Sequence, residues 1–141
     1  MSSIKLEVVS PDEKVYEADI SKLIVRSTGG ELGILPKHAP LITGLIPHAM
    51  RVKLPGGEEQ LIAVAGGFME VQRDKITVLA TAAELPINID VLRAQRAYKR
   101  AKERLERFHK NPSESEDINV ARVKAALNRA MARLRATDTE V

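Results

Sequence analysis

The hydrophobic rhythm of this chain changes once, close to residue 88, and that change divides the molecule. Before it, apolar residues recur at every second position between closely spaced turn signals. After it, they recur every three or four residues. A period of two belongs to a strand with one buried face and a period near 3.6 to an amphipathic helix, so neither segment can serve as the other. The expected fold is therefore α+β in two parts. An N-terminal antiparallel β-sandwich occupies residues 1–87, and a C-terminal antiparallel two-helix hairpin occupies residues 88–141.

The strand half reads directly. Ile4, Leu6 and Val8 share one face of a run that ends at Ser10-Pro11-Asp12. Leu23-Ile24-Val25 is a short apolar run rich in β-branched residues. Met50, Val52 and Leu54 alternate into Pro55-Gly56-Gly57, a hairpin signal, and Leu61 to Ala65 reads as the return strand. Gly66-Gly67 interrupts the pattern, Phe68 to Val71 resumes it, and Arg73-Asp74 turns it into Ile76 to Leu79.

In the helical half, Ala94, Ala97, Ala101, Leu105 and Phe108 form one stripe. Asp90 is placed to cap that helix or to set negative charge at its positive end, and Asn111-Pro112 should end it. A polar connector, Ser113 to Asp117, leads to a second stripe of Val120, Val123, Leu127, Ala130 or Met131, and Leu134. These stripes are rich in alanine, which buries little area per side chain. Two readings stay open: a hairpin permanently docked on the sandwich, and one that leaves it at modest cost.

Charge divides at the same place. Residues 1–87 carry 9 Lys+Arg and 11 Asp+Glu, whereas residues 88–141 carry 13 and 8, so the basic character belongs to the hairpin. Cysteine is absent, which removes disulfides, thiol nucleophiles and thiolate metal sites together. His38, His48 and His109 show no metal-ligand spacing, and neither a nucleophile elbow nor a phosphate-binding glycine loop is present. The expectation is a non-catalytic chain. The first residues have neither the basic and apolar regions of a signal peptide nor an Arg-rich transit pattern, so a cytoplasmic or equivalent location is expected.

Arg93, Arg96, Arg100, Arg104 and Arg107 fall at three- and four-residue spacing along the first helix, with Asp90 one turn before Arg93 and close enough to pair with it. Arg122, Arg129 and Arg133 lie along one ridge of the second. Folding the hairpin gathers several guanidiniums, which suit bidentate phosphate recognition. The other reading is a solvated, salt-bridged face, since Lys99–Glu103, Lys102–Glu106 and Glu103–Arg107 all stand four residues apart. A basic-hairpin nucleic-acid-binding module fits the charge. Against it stand the acidic sandwich and the scarcity of stacking side chains, which are only Tyr16, Phe68, Tyr98 and Phe108. A sandwich adaptor that dimerises through its helices is a further alternative.

The segment Glu31-Leu-Gly-Ile-Leu-Pro-Lys-His-Ala-Pro-Leu41, preceded by Gly29-Gly30, closely resembles the signature of the epsilon subunit of rotary ATP synthases. The resemblance extends through Val8 to Pro11, Gly66 to Val71, Ile76 to Ala80 and the helical tail, hence nearly the whole chain. It implies a sandwich of about ten strands in the central stalk, bound to the gamma subunit and the c ring, with Glu31 and His38 in the loop that faces the ring. It implies no catalysis. The resemblance further implies a hairpin that inhibits ATP hydrolysis by extending toward the alpha and beta subunits, with Arg122, Arg129 and Arg133 as inhibitory contacts. The implied location is peripheral, on the cytoplasmic face of the cell membrane, with no inserted segment and no nucleic-acid partner.

A narrower resemblance concerns nucleotide. Ile89-Asp90-Val91-Leu92-Arg93-Ala94-Gln95-Arg96-Ala97-Tyr98-Lys99-Arg100 matches the pattern by which Bacillus-type epsilon subunits bind ATP. Gln95 departs from the lysine of many relatives, at an unconstrained position. The implied ligand set is Glu84, Ile89, Asp90, Arg93, Ala94, Arg100, Arg129 and Arg133, with ATP as a regulatory ligand and magnesium left open.

Overall fold

The computed structural model describes residues 2–110 and 120–138. The turn and alternation signals resolve into ten strands: β1 (Ile4–Val9), β2 (Lys14–Ile20), β3 (Lys22–Ser27), β4 (Gly30–Ile34), β5 (Leu41–Leu45), β6 (His48–Lys53), β7 (Glu59–Val64), β8 (Gly67–Val71), β9 (Lys75–Ala80) and β10 (Ala83–Glu84). A 3₁₀ turn at Pro86–Asn88 leads into α1 (Val91–Lys110), and α2 is Val120–Ala136. The expected end of α1 at Asn111-Pro112 and the polar connector lie outside the described residues.

The strands run in the order β10-β7-β6-β3-β5-β8-β9-β1-β2, with β4 beside β3. At the join between the two halves, β3 and β5 share one register pair, Ser27 with Leu45, and the sheet folds over itself there. Inward residues from both halves, among them Leu6, Leu23, Met50, Ile62, Met69 and Ile76, then form one fully buried core. Complete burial of each such side chain is worth about 1.5–3 kcal/mol. The sandwich is antiparallel as expected except at one pair, where β1 and β9 run in parallel. Two antiparallel hairpins, β1–β2 and β8–β9, meet there along strands that run the same way. Alternation has the same period in either direction and cannot report it.

His48 closes one end of β6 inside the core edge. Its Nδ1–H donates to the Ile46 carbonyl at 2.6 Å, which leaves Nε2 to accept the Arg26 amide N–H at 3.1 Å. Burial pushes its pKa down, the Ile46 bond opposes this, and the Arg26 charge adds to the lowering. A folded-state pKa below the unfolded one favours the neutral fold above the unfolded value of about 6.5, and that stability is lost as pH falls below it. The urea midpoint should therefore decline between pH 7 and pH 5, well above the range in which carboxylates titrate. In His48→Gln the decline over that interval should flatten, and an unchanged slope would remove His48 as its source.

On the outer face of β1, β2 and β9, Glu17 lies between Lys5 at 2.7 Å and Lys14 at 2.9 Å, whose hydrogen bonds pull its pKa down to about 2. The neighbouring strands of the same face are different. Cross-strand pairing aligns Val9, Leu79, Phe68 and Gly44 in one rung, with Ile42 on the next. Ile42, Phe68 and Leu79 are 73%, 63% and 54% exposed.

The hairpin covers a different surface. α2 lies on β6 and β7, and α1 packs chiefly on α2. The seam is built of small groups: Ala49 and Ala63, paired across β6 and β7, meet Ala136 and Ile89, with Leu61 alongside. The predicted stripe on α1 is the one that turns inward, from Ala94 to Phe108. α2 differs from expectation in having a second buried face, which carries Ala132 and Ala136, because it is packed on two sides.

Candidate functional site

The junction of the two parts encloses a cavity of about 450 Å³ lined by Glu84, Asn88, Asp90, Arg93, Ala94, Ala97, Arg100 and Arg133. Four segments supply it, Asn88 coming from the 3₁₀ turn. β10 ends at Glu84, the first turns of α1 give Asp90 through Arg100, and α2 brings Arg133 from across the hairpin. Arg93, Ala97 and Arg100 share one side of α1 because they stand four and three residues apart.

Asp90 caps α1: its Oδ1 accepts the Arg93 backbone N–H at 3.0 Å, and its carbonyl accepts the Ala94 N–H at 3.0 Å. The expected pairing of Asp90 with the Arg93 guanidinium is thus replaced by a cap, the other role the sequence allowed. Capping satisfies one orphan helix-end donor and leaves the Arg93 side chain to the exposed rim of the cavity. Arg133 Nε donates to Glu84 Oε1 at 2.6 Å, an ion pair that fastens α2 to the end of the sandwich. Both side chains are about one-third exposed, so solvent screens the pair.

Of the eight residues expected to contact nucleotide, six line this cavity: Glu84, Asp90, Arg93, Ala94, Arg100 and Arg133. Ile89 is instead buried in the seam with Ala63 and Ala136. Arg129 lines a small adjoining space of about 10 Å³ with Ala63, Glu84 and Arg133. Arg122 is exposed on α2 and lines neither space. Sequence reasoning missed Asn88 as a liner, although its position two residues before the helix cap was the available signal. The expected i,i+4 ion pairs of α1 do not form among the described residues. Lys102 instead places its Nζ 5.8 Å from the Tyr98 ring centre.

Glu31 and His38 do not share a cavity. Glu31 lines a second depression of about 180 Å³ with Arg26, His48, Arg51 and Arg135. His38 lies in the exposed loop after β4, its Nδ1 2.7 Å from the Ala39 carbonyl oxygen. Among the described residues, no group of three or more His, Cys, Asp or Glu side chains is arranged to hold a metal ion.

A β-sandwich with a two-helix hairpin folded onto it, and a cavity lined by three arginines and two carboxylates at the joint, defines the class of fold. Two family models match the parts in turn: the beta-sandwich domain of the ATP synthase delta/epsilon chain over residues 3–86, and its long alpha-helix domain over residues 88–138. The chain belongs to that family. It is 46% identical to the ATP synthase epsilon chain of Halalkalibacterium halodurans over 134 residues, 95% of this chain and 96% of the relative. It is 54% identical to that of Alkalihalophilus pseudofirmus over 105 residues, 74% of this chain and 78% of the relative. Its fold is similar to a chain in the OSCP/F1/c-ring structure of the Euglena gracilis mitochondrial ATP synthase, with a TM-score of 0.77 at 22% identity. That match covers 96% of this chain and 81% of the other.

Proposed function

We propose that this chain is a non-catalytic rotor subunit of a proton-translocating ATP synthase, and that its hairpin is a brake on ATP hydrolysis held in the docked position by ATP. The observation that carries this reading is the origin of the cavity wall: Glu84 from the sandwich, Asp90, Arg93 and Arg100 from the start of the hairpin, and Arg133 from its second helix. A ligand that touches all three binds the docked hairpin and loses its site when the hairpin leaves. Binding and docking are therefore linked. Three guanidiniums balance triphosphate charge without a phosphate loop. Moving the hairpin from 1:99 to 99:1 docked needs about 5.5 kcal/mol of differential affinity, and a smaller preference biases the brake without setting it.

The other surfaces fit the same assignment. Ile42, Phe68 and Leu79 give an exposed apolar rung suited to the gamma subunit. Glu31 and His38 are the contacts toward the polar loops of the c ring. In the extended state Arg122, Arg129 and Arg133 meet an acidic segment of the beta subunits, beside alpha. The subunit sits peripherally at the cytoplasmic face of the membrane. Among the described residues, no helix is long and apolar enough to cross it.

The test is ATP titration of the full chain labelled with a fluorophore pair, one on β2 and one on the exposed side of α1. Energy transfer should rise and saturate as ATP holds the hairpin down. A flat response through millimolar ATP would remove nucleotide from the mechanism.

A further inference from the structure

We propose that the depression of about 180 Å³ between Arg26, Arg51 and Arg135 is a phosphate site, in which one small tetrahedral oxyanion bridges the end of α2 to the sandwich. It is separate from the nucleotide cavity and does not depend on it. Strand alternation builds its floor. Arg26 stands two residues after Ile24 on β3, and Arg51 two residues after Ala49 on β6, so the four share the outer face of the sheet. Ile24 and Arg51 are register partners, as are Arg26 and Glu31 of β4. The last turn of α2 closes the remaining side. Ala136 is buried in the seam that includes Ala49, and its neighbour Arg135 lines the depression. Three guanidiniums from three elements converge there, against Glu31 as the one carboxylate among the described liners.

The arginines outnumber their counter-charges. Arg51 donates to Glu59 through Nε and Nη2 at 3.3 Å, and the charge of Glu31 also acts on Arg51. Among the described residues, neither Arg26 nor Arg135 forms an ion pair. His48 adds no donor, because Nδ1 and Nε2 are committed to the Ile46 carbonyl and the Arg26 amide. The matching ligand is therefore an anion that accepts from guanidiniums, whose planar donors meet oxyanion oxygens in pairs. It is also small. Pockets for drug-sized ligands run to roughly 300–1,000 Å³, so this space suits a phosphate and not the base, ribose and phosphates of a nucleotide together. Arg135 belongs to the hairpin, and Arg26 and Arg51 to the sandwich, so a phosphate held by all three favours the docked arrangement. Glu31 and the negative end of α2 oppose the anion, which sets the affinity in the millimolar range.

The experiment follows the ³¹P line width of inorganic phosphate titrated into the full chain at mildly alkaline pH, with ionic strength held constant by sodium chloride. The excess width should report a saturable bound fraction, and sulfate should reverse it by competition. Arg26→Gln and Arg135→Gln should each weaken binding by about tenfold, whereas Glu31→Gln should tighten it by removing the opposing charge. Arg96→Gln takes the same charge from a position that lines neither cavity and should leave binding unchanged. Arg26, Glu31, Arg96 and Arg135 are all exposed, so the circular dichroism melts of these variants should match the wild type. Broadening that never saturates overturns the proposal, as do equal losses in Arg96→Gln and Arg135→Gln. A loss in Arg93→Gln that Arg135→Gln does not share would seat the phosphate in the nucleotide cavity, and overturns it too. Failure of ATP to bind would leave these results standing, because none of the three arginines lines that cavity.

Discussion

On the proposed nucleotide site, Arg93→Ala should lower the affinity of the full chain for ATP by about tenfold to a hundredfold, while Arg96→Ala should leave it unchanged. The two residues stand three apart on α1 and both are exposed, but only Arg93 lines the cavity. Each substitution removes one positive charge from the same helix, so their effects on the general field are alike. They differ in direct contact. A hydrogen bond to a charged group contributes about 1.5–3 kcal/mol, and each 1.4 kcal/mol is a factor of ten. The fold is expected to tolerate both variants, because the Asp90 cap uses the backbone N–H of Arg93, not its side chain. Calorimetry on the two variants decides the matter. Equal losses would mean that the basic face attracts polyanions without a defined site, which is the behaviour of a nucleic-acid binder and would sink the site assignment.

Gly67→Ala destabilises the sandwich by on the order of 3 kcal/mol or more, a large part of a typical domain's 5–15 kcal/mol. Gly67 opens β8 with φ +138°, a conformation that side chains rarely adopt. An added Cβ would lie 2.2 Å from the Leu79 carbonyl oxygen and 2.9 Å from the Ala80 Cα. Both are backbone atoms of the adjacent strand, so no side-chain rotation relieves the clash, and β8 must separate from β9. Gly56→Ala is the control. It lies in the β6–β7 turn, where an added Cβ meets nothing within 4 Å. Its thermal midpoint should stay within a few degrees of the wild type. A Gly67→Ala protein that melts with Gly56→Ala would show that β8 enters the sheet differently.

The parts of the fold legible in the sequence are those whose burial alternates strictly. β1, β6 and β9 each carry three buried residues at every second position, and apart from His48 their apolar letters follow the same beat. β2 and β4 bury one residue each and blur into polar sequence, so their presence followed from the family resemblance more than from periodicity. The parallel pairing of β1 with β9 is invisible for a stronger reason, since side-chain alternation carries no strand direction. In α2, Ala132 and Ala136 do not register as a hydrophobic face against the charged residues around them, although both are buried. At the candidate site, charge and spacing on α1 marked Arg93 and Arg100. The Glu84–Arg133 ion pair joins residues 49 positions apart and depends on how the hairpin folds back, which helical spacing does not encode.

The alanine seam has a consequence for the proposed raising of the arm. Ala49 and Ala63 on the sheet and Ala132 and Ala136 on the helix present single methyl groups where leucine or phenylalanine would present large apolar faces. Uncovering these four exposes little sticky surface, and Ile89 and Leu61 are the larger apolar groups of the same seam. The proposed detachment of the hairpin would therefore carry less risk of self-association than one that uncovered a continuous leucine face.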